Sequence, residues 1–186
     1  MQVVSTYKDF ELTKNQIIAI ITLLNSVWPY KDKTISEVTN NWISEITQSE
    51  EAENYNTHFV IWVTITAIAH AKIFSLEIYT KNGSIKIAAL ASVCVSPNYR
   101  NKGLGEIVTK SAFDYAKQSS FPASLFQTAI PEFYKKLGSK MVNNKFINSK
   151  NEKDPQKNPF WDKCIMIYPA EYNWSESIID LNGQGY

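Results

Sequence analysis

Val95-Ser-Pro-Asn-Tyr-Arg100-Asn-Lys-Gly103-Leu-Gly105 joins two stretches of different period, and its reading decides the fold. Before it, Ile85, Ile87, Ala89, Ala91, Val93 and Val95 are apolar at every second position. That period predicts a strand over residues 85–95 with these side chains on one face. Pro97 lacks an amide hydrogen and closes the ladder. After it, Leu104, Ile107, Val108, Ser111, Ala112, Tyr115 and Ala116 follow the spacing of one helix face. Gly103 and Gly105 therefore sit where a strand turns into a helix. Such a turn leaves backbone amides aimed outward, and the helix dipole favours a bound phosphate. Arg100 is the one arginine among nineteen basic residues.

Composition narrows the class. The chain has 186 residues, enough for one domain over 1–186 with a sizeable core. Apolar content of 44% and charged content of 20% are those of a soluble globular protein. A net charge of +1 gives no electrostatic case for nucleic acid or a membrane surface. Cys94 and Cys164 have neither metal nor redox spacing and read as small hydrophobes of a reducing cytoplasm. The apolar run over 17–24 is too short to span a bilayer and follows acidic residues, so no targeting segment is read.

The remaining elements follow from local pattern. A first strand is predicted over 2–7, then a helix from Thr13 to about Val27, then a second helix beginning at Thr34 or Ser36. Residues 48–56 read as a loop. Strands are predicted over 58–65 and 67–79, with Lys81-Asn82-Gly83 as the hairpin before the central strand. Beyond the central helix come a strand over 124–128, a short helix within 130–138, a strand over 139–148 and a last strand over 160–168. The polar run 149–159 is an exposed connection, and the tail is either a frayed end or an ordered segment whose carboxylates, on Asp180 and Tyr186, attract a cation.

The Arg100-Asn-Lys-Gly103-Leu-Gly105 run resembles the acyl-CoA pyrophosphate loop of the GNAT superfamily of N-acetyltransferases, a Gln/Arg-x-x-Gly-x-Gly/Ala pattern between a strand and a helix. Phe133-Tyr134-Lys-Lys-Leu-Gly138 matches a second family segment, and the order of elements matches over residues 7–168. Within the superfamily the sequence resembles the aminoglycoside 2′-N-acetyltransferase-like branch. The resemblance implies an α/β (α+β) fold with a mixed, mostly antiparallel central sheet flanked by helices on both faces. It also implies acetyl-CoA as cosubstrate, no metal, and a small-molecule amine as partner, the protein being a monomer or homodimer.

Site residues follow from the same resemblance. The main chain of Val93, Cys94 and Val95 is expected to hold the pantetheine arm and the thioester oxygen. The amides of Arg100, Asn101, Lys102, Gly103, Leu104 and Gly105 are expected to hold the pyrophosphate. Tyr134 matches the tyrosine that protonates the departing CoA sulfur, and a phenol with a pKa near 10 carries that proton at neutral pH. No base is identified: the strand position that is acidic in aminoglycoside-modifying relatives is Ala91 here. Glu77, His70, Glu132, Asp180 and the Tyr186 carboxylate are the other candidates, with His70 read as a satisfied or solvent-facing histidine. Tyr30, Trp28, Trp42, Phe160 and Trp161 are candidates for lining the amine pocket. A non-catalytic acyl-CoA-binding module, transfer of a longer acyl chain, and acylation of a protein amine are the competing readings.

Overall fold

A computed structural model of the protein describes residues 3–48 and 56–186. The interior of the loop expected over 48–56 lies outside them. The chain is mixed α/β with a mostly antiparallel sheet flanked by helices. It divides into two compact units, one holding the described residues up to Phe74 with Ala91–Ala112, the other Ser75–Leu90 with Phe113–Tyr186.

In the first unit, β1 (Val4–Lys8) pairs antiparallel with β2 (Thr57–Val63), which pairs antiparallel with the start of β3 (Thr66–Thr80). Thr13 caps α1 (Lys14–Val27): its hydroxyl accepts from the Gln16 amide, and the Gln16 side chain accepts from the Thr13 amide. The same box forms at α2 (Ile35–Gln48) between Thr34 and Glu37, so Thr34, not Ser36, starts that helix. Ile17, Ile20 and Ile21 of α1 pack with Leu12, Val60, Ala67 and Cys94. Each fully buried isoleucine contributes about 1.5–3 kcal/mol.

β4 (Gly83–Val95) starts in the second unit and ends in the first. Burial does not alternate along it, Ile87, Ala88, Ala89 and Leu90 all being buried, and Ser92 has a φ of 54°. One residue in the left-handed region shifts the register, and Cys94 is buried while Val93 and Val95 are only partly so. The six apolar side chains therefore do not share one face.

The second unit carries the end of β3, the hairpin and most of β4. Gly83, at φ 108°, supplies the positive φ of the hairpin. β4 pairs with β5 (Ser124–Thr128) in parallel at Ala88 and Ala89, and α3 (Leu104–Gln118) is the crossover such a pair requires. α4 (Pro131–Lys135) follows, with Gly138 at φ 86° past its end. β8 (Cys164–Tyr168), shorter than the predicted last strand, pairs antiparallel with β5 and with β6 (Lys140–Val142).

One expectation is corrected here, and the open reading of the tail is decided. The strand read over 139–148 is two pieces, β6 and β7 (Phe146–Ile147). Between them the Asn144 side chain donates to the Ser175 and Ser177 carbonyls and accepts from the Trp174 indole, so it leaves no uniform pleat. The tail is built in rather than frayed. β9 (Ile179–Asp180) pairs with β7 and with Tyr79 of β3, and Ile179 and Leu181 are buried in the core with Ile78, Ile87, Leu125 and Phe160. The Tyr186 hydroxyl donates to the Leu125 carbonyl at 2.8 Å. A Cβ on Gly185 would collide with the Pro159 carbonyl, so only glycine fits there.

Candidate functional site

The loop after β4 begins where the Ser96 amide donates to the Ile68 carbonyl at 2.9 Å. Pro97–Tyr99 makes one 3-10 turn. Asn101 (φ 60°) and Gly103 (φ 74°) then reverse the chain, and the Gly103 carbonyl accepts the first helical bond, from Ile107. Asparagine tolerates the left-handed region and glycine occupies it without strain. Among the described residues, the amides of Asn101, Lys102 and Gly103 donate to no protein acceptor. A Cβ built on Gly103 meets no atom within 4 Å. This is a cradle of exposed donors at a helix N-terminus. Lys102 is exposed, its ammonium 5.1 Å above the Tyr99 ring, and Leu104 is buried as the first residue of α3. The Arg100 side chain turns back, its Nε donating to the Val95 carbonyl at 3.4 Å. Burial pushes the Cys94 thiol up to about 12, with Arg100 working in the opposite direction. Cys94 is therefore a neutral core thiol at physiological pH.

Beside this segment, still in the first unit, a chain of side chains is assembled that no local motif announces. His70 Nδ1 lies 2.9 Å from the Ser92 carbonyl, His70 Nε2 lies 3.0 Å from His58 Nδ1, and His58 Nε2 lies 2.7 Å from Asp9 Oδ1. Asp9 also accepts from the Trp42 indole and from the amide and side chain of Asn56. Proton positions follow from these partners. A carbonyl can only accept, so His70 Nδ1 carries a proton and its Nε2 accepts from His58 Nδ1. Burial opposes the charge on Asp9, but hydrogen bonds from His58, Trp42 and Asn56 hold the carboxyl below its ordinary value, and His58 Nε2 donates to it. Burial and the neighbouring His58 charge depress His70 to about 3, so that ring is neutral. Every ring nitrogen is engaged. His70 is thus a satisfied buried histidine, and what the chain does is fix the Ser92 carbonyl at the β4 irregularity.

A cavity of about 260 Å³ opens above this chain. Ile21 and Leu24 of α1 and Trp42 and Glu45 of α2 form its walls, with Tyr30 between the helices. His58, His70, Lys72 and Ser92 lie along its strand side. Lys72 is opposite His58 in the β2–β3 register and two residues from His70, so the three side chains share one face. Burial lowers the Lys72 pKa, while Asp9 and Glu45 oppose that shift.

Of the other residues singled out by pattern or resemblance, Tyr30 and Trp42 line the cavity, and Trp28 is half exposed. Tyr134 lies in the second unit, buried on α4 with its ring 4.6 Å from Phe126 and 4.8 Å from Phe133. Phe160 is a core residue against Phe146 and Tyr186, while Trp161 is 71% exposed. Asp180 accepts from the amides of Ser149 and Asn182, Glu132 pairs with Lys135 at 2.6 Å, and the exposed Glu77 accepts from the Tyr79 hydroxyl. The last carbonyl oxygen, on Tyr186, accepts from Gln127. These carboxylates serve the local structure. Asp9, His58, Lys72 and Glu45 escape a reading of the sequence alone. The available signal was polar residues at alternate positions, His70 and Lys72, inside an otherwise apolar strand, together with the only other histidine on its neighbour.

Comparison with known proteins bears on this geometry. A family model described as "Acetyltransferase (GNAT) domain" matches residues 10–142. No curated protein sequence matches the chain. Among solved structures, a GCN5-related N-acetyltransferase from Kribbella flavida superposes with a TM-score of 0.60 at 15% identity, over 76% of this chain and 34% of that one, so this chain spans about a third of that protein. Escherichia coli ElaA superposes with a TM-score of 0.57 at 15% identity, covering 90% of this chain and 99% of its own. Glucosamine-6-phosphate N-acetyltransferase from Arabidopsis thaliana gives 0.58 at 19% identity, over 77% and 94%. At these identities the likeness is one of fold.

Proposed function

The chain belongs to the GNAT acetyltransferase family, and from that premise we propose that it transfers an acetyl group from acetyl-CoA to a primary amine of a small molecule. The observation that supports this most directly is the loop at Arg100–Gly105. Left-handed Asn101 and Gly103 present unpaired amides at the start of α3, which suits a pyrophosphate. The main chain of Val93, Cys94 and Val95 lies immediately before it and takes the pantetheine arm and the thioester oxygen. The cavity next to Ser92 takes the amine.

Transfer is direct. Cys94 is the thiol nearest in sequence to the proposed thioester position, and with its pKa at about 12 it is no nucleophile at neutral pH. The neutral amine attacks the thioester carbonyl, the C–N bond forms as the C–S bond breaks, and the phenol of Tyr134 protonates the departing sulfur. The proton released by the new C–N ammonium passes to solvent, from which the phenolate is reprotonated. Neither buried histidine has a nitrogen available for the amine proton. Glu45 at the cavity wall draws the cationic amine in.

Thermal unfolding with and without acetyl-CoA tests the cofactor, since a ligand at a hundred times its dissociation constant stabilises by about 2.7 kcal/mol. Thiol release over an amine panel then tests turnover. No stabilisation by saturating acetyl-CoA overturns the proposal, and stabilisation without any thiol release favours a binding module. Tyr134→Phe should lower kcat by about a hundredfold with acetyl-CoA stabilisation unchanged. Unaltered kcat would leave Tyr134 a packing residue.

A further inference from the structure

We propose that the cavity beside Ser92 recognises an amine that also carries an acid group, a carboxylate or a phosphate, and that Lys72 is the residue that binds the acid. The inference rests on the reading of this cavity as the amine site. It begins with charge. Asp9 is tied to His58, Trp42 and Asn56, and both histidines have every ring nitrogen bonded. Among the described residues Lys72 is then the cation that lines the strand side of the cavity with no partner at contact distance, the carboxylates of Asp9 and Glu45 acting on it only through space.

Among the described residues Lys72 makes no hydrogen bond and no ion pair at contact distance; its Nζ lies 5.3 Å from the centre of the Phe74 ring, and Asp9 and Glu45 act on it through space. It is partly buried on the same face as His58 and His70, held there by the register of β2 and β3. A partly buried ammonium whose carboxylates lie beyond contact distance is stabilised further by an anion that hydrogen-bonds to it directly. Lys33 at the mouth adds a second positive charge, and Glu45 is the single carboxylate among the lining residues. The set offers one anionic contact for an amine and two cationic contacts for an acid. A polycation meets like charge on both lysines. A cavity of about 260 Å³ suits a compact molecule with both groups close together.

The test compares matched amines, 2-aminoethyl phosphate and 3-aminopropionate against ethanolamine, in wild-type protein and in Lys72→Met and Lys72→Gln. Methionine and glutamine keep the unbranched stem and remove the charge, and unfolding curves of the apo variants establish that they fold. Two readouts are taken for each amine: stabilisation of the protein with and without CoA, and thiol release from acetyl-CoA. The acid-bearing amines should bind and react at least about tenfold better than ethanolamine, the range expected for a charge-assisted contact. Both variants should abolish that preference by raising KM for the acid-bearing amines, and Lys72→Arg should restore part of it. Equal binding of all three amines by the wild type overturns the inference, and leaves the acyltransferase reading standing if thiol release occurs. A uniform fall in kcat for every amine in both variants also overturns it, since that marks Lys72 as a proton acceptor. Failure of acetyl-CoA to stabilise the protein, with the Lys72-dependent preference still seen in binding, would sink the acyltransferase reading and keep the anion site.

Discussion

The loop at Arg100–Gly105 and the cavity beside Ser92 are built in opposite ways. The loop is six consecutive residues whose proposed contacts are made by the backbone, with side chains turned away: Lys102 over Tyr99, Arg100 toward Val95 and Leu104 into the core. The cavity is made by residues from six segments, and its strand side depends on one buried carboxylate, Asp9, that ties Trp42, Asn56 and His58 together. A backbone site is insensitive to most substitutions and fails when a φ angle is denied. A side-chain site of long-range contacts fails when a single buried partner is lost.

The difference can be broken at its strongest point first. Asp9→Ala leaves the buried His58 ring and three part-buried donors, the Trp42 indole and two N–H groups of Asn56, without their acceptor, and should destabilise the fold by about 3–5 kcal/mol in urea unfolding. A loss under about 1 kcal/mol would mean the chain does not hold the cavity together. Next comes Gly103→Val, which places a β-branched residue at φ 74°. It should remove the stabilisation of about 2.7 kcal/mol expected at saturating acetyl-CoA, and unchanged affinity would sink the loop assignment.

A smaller effect comes from pH. In the unfolded chain His70 titrates near 6.5, whereas the folded protein holds it at about 3. Between those values the unfolded chain binds a proton that the folded one does not, so stability falls as pH drops below about 6.5, by up to ~1.4 kcal/mol per pH unit. His70→Gln should flatten that slope in urea midpoints measured at pH 7 and pH 5, and an equal slope in both proteins would place the titration elsewhere. Lys102→Ala should do least, changing acetyl-CoA affinity by less than about fivefold, because an exposed lysine contributes little beside fixed amides. A hundredfold loss would make the loop a side-chain site after all.

The period of apolar residues and the capping and turn residues are local properties, and they were legible. Thr13, Thr34, Gly83 and Gly103 act where their chemistry predicts. Where reading failed, a distant contact overrode local preference. Ser92 takes a left-handed φ within β4 while its carbonyl is held by a histidine on β3, and Asn144 splits an apolar run because three groups from the tail bond to it.

Local sequence was therefore enough for the order and kind of elements, and for the turn at Arg100–Gly105, whose exposed amides come from consecutive residues and whose geometry glycine and asparagine dictate. The cavity needed the tertiary fold. Asp9 and His58 are 49 residues apart, and His70 and Ser92 another 22. No periodicity connects them; strand register and helix packing bring them to one face, where burial makes each hydrogen bond obligatory.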